Sequence, residues 1–208
     1  MTKFGTEIGA CPADLARRAD VVISCVTDSP DVEEIVLGSD GVFFGAHPGL
    51  VMIDMSTISP DVTREISMKL AEKDVSMLDA PVSGGQWGAV NGTLSIMVGG
   101  PQPTFQQCEQ IFKAMGERIV YCGSSGMGQV TKSVNQIIVA GTMAAVCEGL
   151  IFAAKAGADL ASVYEAVSGG AAQSWQLDNL GARILDGDFD PGFMLKLQQK
   201  DFDLMNII

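Results

Sequence analysis

The sequence predicts an α/β sheet domain followed by an all-helical domain, and three observations carry the prediction. Short, β-branched apolar runs alternate with helix-length segments through the first 123 residues or so. From Gln129 onward no strand pattern recurs. Between the two regimes lies Gly126-Met127-Gly128-Gln129-Val130-Thr131-Lys132-Ser133-Val134-Asn135-Gln136, a glycine turn opening into an apolar, Ala-rich segment that runs to Ala156. Strands and helices of these lengths argue for βαβ units on a parallel sheet. The domains are therefore placed at 1–124 and 125–208, with the boundary near Ser124–Ser125.

Residues 1–10 have no clear periodicity. Pro12 to Ala19 fits a short helix, with proline in its first turn and Arg17 and Arg18 facing water. Val21 to Val26 reads as a strand buried on both faces. Thr27-Asp28-Ser29-Pro30 then turns into a helix capped by Asp28 or Ser29 and stopped by Gly38. Leu50 to Met55 repeats the strand pattern, and Ser56-Thr57-Ile58-Ser59-Pro60 leads into a helix to about Lys73. Val75 to Asp79 is a further strand, running into Ala80-Pro81-Val82-Ser83-Gly84-Gly85. Leu94 to Val98 and Arg118 to Tyr121 are strands flanking a helix from Thr104 to Met115. Helices follow at 129–156, 159–168 and 173–185, with a last one opening near Leu195. Ligands bind beyond the carboxyl ends of strands in such sheets. Val26-Thr27, Ser56-Thr57 and Ser83-Gly84-Gly85 are accordingly expected to converge on one edge.

Composition narrows the function. A formal net charge of −12 and a pI of 4.3 argue against a phosphate-backbone partner, and no basic run contradicts this. Five scattered cysteines without C-x-x-C spacing read as buried, reduced thiols and not as a disulfide frame or a zinc site. His47 is the single histidine, which argues against a His-based triad or a His-rich metal site. The N-terminus lacks the order of a signal peptide, and no apolar run reads as long enough to span a bilayer. The expectation is a soluble, cytoplasmic protein without metal, membrane or nucleic-acid partners.

Chemistry concentrates around Lys132. Residues at i, i+3, i+4 and i+7 share a helix face, so Lys132, Asn135, Gln136 and Val139 point the same way. The positive end of the helix dipole and partial burial would both disfavour the ammonium and bring its pKa toward the range useful for proton transfer. The alternative is a solvated lysine beside a turn. Backbone N–H groups bared by glycine at Ser83-Gly84-Gly85 would cradle a carboxylate; the alternative is a plain turn. Ser56 reads as a helix cap, Lys200-Asp201 as a surface ion pair, and Met143, Val146 and Leu150 as core. No G-x-G-x-x-G occurs, and Gly126-Met127-Gly128 lacks the third glycine.

Taken together, these stretches resemble the β-hydroxyacid dehydrogenase family, which includes 3-hydroxyisobutyrate dehydrogenase, tartronate semialdehyde reductase and, more distantly, 6-phosphogluconate dehydrogenase. Four motifs stand in the family's order: Asp54-x-Ser56-Thr57-x-x-Pro60, Asp79-Ala80-Pro81-Val82-Ser83-Gly84-Gly85, Gly126-x-Gly128-x-x-x-Lys132-x-x-Asn135-Gln136, and Phe193 followed by Lys200-Asp201. The resemblance implies a Rossmann-type domain joined through the long helix to an all-α domain, with NAD or NADP as cofactor and a small carboxylate as substrate. It makes Lys132 the general acid/base, Ser83, Gly84, Gly85 and Asn135 the substrate contacts, and Val26, Thr27, Asp31, Thr57 and Lys200 the cofactor contacts. The family often has Leu-Pro at Val26-Thr27 and Asn at Gln136. Its members open with a βαβ unit carrying the glycine fingerprint and the residue that selects NAD or NADP. Against that pattern the chain reads as a fragment: a Rossmann-type domain without its first βαβ unit and a truncated helical domain. An exposed parallel edge would then call for a homo-oligomer, and a missing N-terminus could carry a mitochondrial transit peptide. The competing reading is a non-catalytic oligomerisation module that keeps the fold.

Overall fold

A computed structural model describes residues 5–207. The chain packs as two units, one formed by the residues up to Ser133 together with those from Lys200 onward, the other by Val134–Gln199.

The first unit holds a six-stranded sheet: β1 (Val21–Ser24), β2 (Val51–Asp54), β3 (Ser76–Asp79), β4 (Val82–Ser83), β5 (Leu94–Gly99) and β6 (Gly116–Gly123). Around it lie α1 (Pro12–Arg18), α2 (Ser29–Leu37), α3 (Val42–Gly45), α4 (Pro60–Ala71), α5 (Gly85–Asn91) and α6 (Gln102–Lys113). Successive strand residues point to opposite faces, so apolar runs serve two cores at once. Leu50, Met52 and Met77 pack with Val32, Val36, Ile66 and Leu70 of α2 and α4. Val51, Ile53 and Leu78 pack on the other side with Ile96, Val98 and Phe112 of β5 and α6.

The expected parallel βαβ sheet is present, with one antiparallel junction. β1, β2 and β3 are parallel neighbours, but β5 runs against β3, and β6 is parallel to β5. Asp79 faces Gly99, Val82 faces Ile96 and Ser83 faces Ser95, so three residues forward on one strand match three backward on the other. β4 therefore continues β3 along one antiparallel ladder, with the Met97 N–H donating to Pro81 O at 3.0 Å between them. One bent strand leaves β2 for β5, and it carries Ser83 past the ends of β1 and β2.

Helix starts follow the expected chemistry. Asp28 caps α2 in a capping box: its side chain accepts from the first turn while Asp31 Oδ2 accepts from Asp28 N at 3.1 Å. Ser59 caps α4, with Pro60 in its first turn. Helix α7 (Met127–Lys155) is 29 residues long, beginning in the first unit and continuing into the second. The second unit adds α8 (Leu160–Ser168) and a π-helical turn (Leu177–Gly181) running into α9 (Ala182–Leu185); α10 (Leu195–Asp203) returns the chain to the first unit.

Two sequence readings are overturned here. By length and composition α7 is apolar enough to cross a membrane, a test that the core helices of soluble proteins also pass. Val134, Ile137, Ile138, Ile151 and Phe152 on it are each at least half exposed. Among the cysteines only Cys108 is buried; Cys25 is exposed, and Cys11, Cys122 and Cys147 are intermediate. All five are free thiols, in line with the absence of pairing in their spacing.

Candidate active site

The start of α7 is seated on strand ends. Asp79, the last residue of β3, is 1% exposed; its Oδ1 accepts from Gly126 N at 2.9 Å and its Oδ2 from Gln129 N at 3.1 Å. A carboxylate at a helix N-terminus takes up the unpaired first-turn N–H groups and meets the positive end of the dipole. Burial nevertheless pushes its pKa up to about 6, against those backbone bonds. The seat has no room for a side chain: a Cβ on Gly128 would lie 2.4 Å from Met97 O and 2.6 Å from Asp79 O. Gly126-x-Gly128 is thus a close-packing device for the helix, not a phosphate turn.

Behind the seat runs a buried polar network that links the ends of β1 and β2. Asp54, fully buried at the end of β2, accepts on Oδ1 from Ser24 Oγ (2.7 Å), Ser56 Oγ (2.6 Å) and Ser56 N (3.2 Å), while burial raises its pKa. Ser56 Oγ in turn accepts from Val26 N at 2.8 Å. Ser56 is therefore not a helix cap, as its sequence neighbours had implied, but the link between the two strand ends. Gln129, 1% exposed, spans the gap to α7: its Nε2 donates to Ser56 O at 2.8 Å, and its Oε1 accepts from Ile58 N at 3.2 Å. Sequence reading missed Asp54, Asp79 and Gln129 as members of one network, although each stands inside a quoted motif.

Lys132 lies one turn beyond Gln129 and is 8% exposed. Burial is the largest influence on it and brings its pKa down to about 8; the Asp201 carboxylate opposes this, and the Lys200 ammonium adds to the lowering. The solvated reading of Lys132 does not hold. Lys200 and Asp201 are likewise not a surface pair, since Asp201 is 3% exposed and the Lys200 side chain 16%. Lys200 Nζ donates to Thr27 O (2.9 Å) and Thr57 O (2.6 Å) and lies 2.9 Å from Asp201 Oδ1. Those three acceptors match the three N–H groups of an ammonium, so α10 clasps the two loops that follow β1 and β2.

Val26, Thr27, Thr57, Lys132 and Lys200 are thereby gathered at the carboxyl ends of β1 and β2. Val26 and Thr27 line an open cleft with Cys25, Asp31, Glu34 and Ile35, and Asp31 also has its capping role in α2. Ser83 ends β4; Gly84 and Gly85 follow it with φ of 131° and 59°, exposed and in conformations that side chains resist. Asn135 stands one turn after Lys132 on α7 and donates from Nδ2 to Gln136 Oε1 at 2.8 Å. Among the described residues no cluster of three His, Cys, Asp or Glu side chains is placed to hold a metal ion. The cleft beside the loop after β1 is lined by both apolar and acidic side chains, and the 208 residues contain no G-x-G-x-x-G fingerprint.

Known proteins resemble this chain in sequence and fold. The family profile described as the NAD binding domain of 6-phosphogluconate dehydrogenase matches residues 1–123, and that described as NAD-binding of NADP-dependent 3-hydroxyisobutyrate dehydrogenase matches 126–207. An uncharacterized oxidoreductase of Bacillus subtilis is 46% identical over 191 residues, 92% of this chain and 66% of that protein. The 2-hydroxy-3-oxopropionate reductase of Escherichia coli is 42% identical over 201 residues, 95% of this chain and 69% of its own length. Among solved structures, a 3-hydroxyisobutyrate dehydrogenase from Salmonella typhimurium aligns with a TM-score of 0.84 at 29% identity, covering 95% of this chain and 69% of that one. The chain thus spans about two thirds of the length of these relatives. Two consecutive NAD-binding profiles, relatives above 40% identity and a buried lysine on the helix that follows the sheet lead to one assignment: the chain belongs to the β-hydroxyacid dehydrogenase family of NAD(P)-dependent oxidoreductases.

Proposed function

We propose that this chain carries the catalytic lysine of an NAD(P)-dependent enzyme that interconverts a small 3-hydroxy acid and its semialdehyde, of the 3-hydroxyisobutyrate or 2-hydroxy-3-oxopropionate class. The observation that carries the reading is Lys132: buried on the helix seated at the strand ends, with a pKa of about 8, beside a loop clasp formed by Lys200. A lysine in that range shuttles a proton in either direction near neutral pH. In oxidation its neutral amine takes the proton of the substrate hydroxyl; in reduction its ammonium returns a proton to the carbonyl oxygen. The bound nicotinamide supplies the hydride chemistry. Val26, Thr27, Asp31, Thr57 and Lys200 are assigned to the dinucleotide, Ser83, Gly84 and Gly85 to the substrate carboxylate, and Asn135 to the reacting group. Domains at 1–124 and 125–208 remain the proposed functional division.

The reading is tested by assaying a version extended upstream by a fingerprint-bearing βαβ unit, with both substrates and both dinucleotides, following reduced nicotinamide by absorbance. Absence of turnover with every pair would overturn it. Within that assay Ser83→Ala is expected to raise KM for the carboxylate substrate several-fold more than KM for the dinucleotide. An equal rise in both would remove Ser83 from the substrate site.

The 208-residue polypeptide itself is expected to bind NAD or NADP no better than about millimolar, roughly −4 kcal/mol. The pyrophosphate of a dinucleotide rests on a glycine turn and helix N-terminus, and that fingerprint is not among these residues. Contacts to the nicotinamide half alone must offset the entropic cost of association. Calorimetric titration with both dinucleotides checks this; micromolar binding would show that the anion site lies elsewhere in the chain.

A further inference from the structure

Gln129 is the buried side chain whose geometry the proposed chemistry leaves unused. A glutamine amide offers one acceptor oxygen and two donor hydrogens, and here both ends are engaged with backbone from a different element. Oε1 takes the Ile58 N–H and Nε2 gives to Ser56 O, 71 and 73 residues away in sequence. These two bonds bracket Thr57 on both sides. Gln129's own backbone N–H is fixed by Asp79 Oδ2, and Lys132 follows it by three residues, close to one helical turn. With 1% exposure no water can substitute for either partner without opening the site.

We propose that Gln129 is a positioning residue that locks the Ser56–Ile58 loop to the first turn of α7, so that Thr57 and Lys132 are held at a fixed separation as one piece. The proposal rests on the dehydrogenase reading for its consequence, since Thr57 and Lys132 are assigned there to the cofactor and the proton. The lock itself is a property of the 208-residue chain and is measured without turnover. The side chain touches neither substrate nor cofactor in this scheme; it acts through the loop and the helix it joins.

Two substitutions of similar size separate the lock from simple packing. Gln129→Leu fills the space but offers neither bond. Gln129→Glu keeps the shape: its protonated form donates through O–H to Ser56 O and accepts from Ile58 N, while its ionised form presents a charge to a carbonyl oxygen. The titratable groups that face it are Asp79 through Gln129 N, Asp54 through Ser56, and Lys132 one turn on. Amide hydrogen exchange by NMR on the 208-residue chain is expected to show the Ile58 N–H losing protection at least tenfold in Gln129→Leu, with Met52 and Ile53 in the core unchanged. In Gln129→Glu, Ile58 is expected to keep wild-type protection at pH 5 and lose it at pH 8, a rescue that cavity filling alone does not produce. Reductive methylation with carbon-13 and titration of Lys132 is expected to show tighter proton binding in Gln129→Leu, by tenfold or more, as water reaches the loosened helix start.

Unchanged Ile58 protection in Gln129→Leu would overturn the lock. Lost Ile58 protection with an unchanged Lys132 titration would overturn the coupling of loop to helix. If Gln129→Leu does not fold, the acid rescue of Gln129→Glu carries the same decision: equal protection at both pH values overturns the proposal. Failure of the dehydrogenase reading is seen separately, as absence of turnover with every pair of substrate and dinucleotide in the extended version.

Discussion

Lys132→Ala, in a version extended by the fingerprint-bearing unit, is expected to lower turnover by about 10²–10⁴-fold, equivalent to roughly 3–5 kcal/mol of barrier. Dinucleotide affinity should be nearly unchanged, because the clasp on the Thr27 and Thr57 carbonyls belongs to Lys200 and not to Lys132. The titration near pH 8 fixes the shape of the pH profile as well. Oxidation needs the free amine, so its rate should rise with pH and level off above about 8. Reduction needs the ammonium, so its rate should fall over the same range. Steady-state kinetics in both directions read all of this at once. Turnover within a few-fold of the parent would remove Lys132 from the chemistry.

The second large effect belongs to Asp79. Replacing it with alanine leaves the N–H groups of Gly126 and Gln129 without their acceptor beneath a buried helix start, at about 1–3 kcal/mol for each. Stability is expected to fall by about 3 kcal/mol, read by urea denaturation at pH 7. Asp79 also leaves a signature in the pH dependence of the parent chain. Its folded pKa of about 6 lies above the ordinary carboxylate value of 3.8, so the folded state holds this proton more tightly than the unfolded one. Stability from this group is therefore fully present below about pH 4, declines as pH rises toward 6, and is flat above; its span is about 3 kcal/mol. Asp79→Asn should abolish that slope. A parent curve that is flat or rising between pH 4 and 6, once other carboxylates are accounted for by the Asn variant, would contradict the assignment.

Much of the first unit was legible because its signals are local. A β-branched run such as Val21-Val22-Ile23 and a capped Pro-initiated helix such as Ser59-Pro60 encode their conformation within a few residues. Strand direction is not local, and β5 illustrates why. Leu94-Ser95-Ile96-Met97-Val98 reads the same whether it pairs parallel or antiparallel; only the ladder with β3 and β4 decides. The site divides in the same way. Lys132 was readable from its place after a glycine turn and from the family motif around it. The roles of Asp54, Asp79 and Gln129 were not, because a buried carboxylate or amide looks like an exposed one until its partners, contributed from other segments, are known. Lys200-Asp201 was misread as a surface pair for that reason: two of its partners are main-chain carbonyls, which have no letter in a sequence. Cys25 was misread through the opposite error, since an apolar neighbourhood in sequence does not ensure cover in space.

The Lys200 clasp has a consequence for the order in which the molecule assembles. Its bonds to Thr27 O and Thr57 O close loops of 173 and 143 residues, whereas the parallel ladder from β1 to β2 joins positions 30 apart. Closing a chain costs entropy that grows with the logarithm of the enclosed length, and contacts of long sequence separation form late. The sheet and its two cores are therefore expected to take shape before α10 returns to the strand ends. Folding of the scaffold and tethering of the loops after β1 and β2 are then expected as separate events, so a chain cut before α10 would keep the hydrophobic layers yet leave Thr27 and Thr57 without the Lys200 clasp.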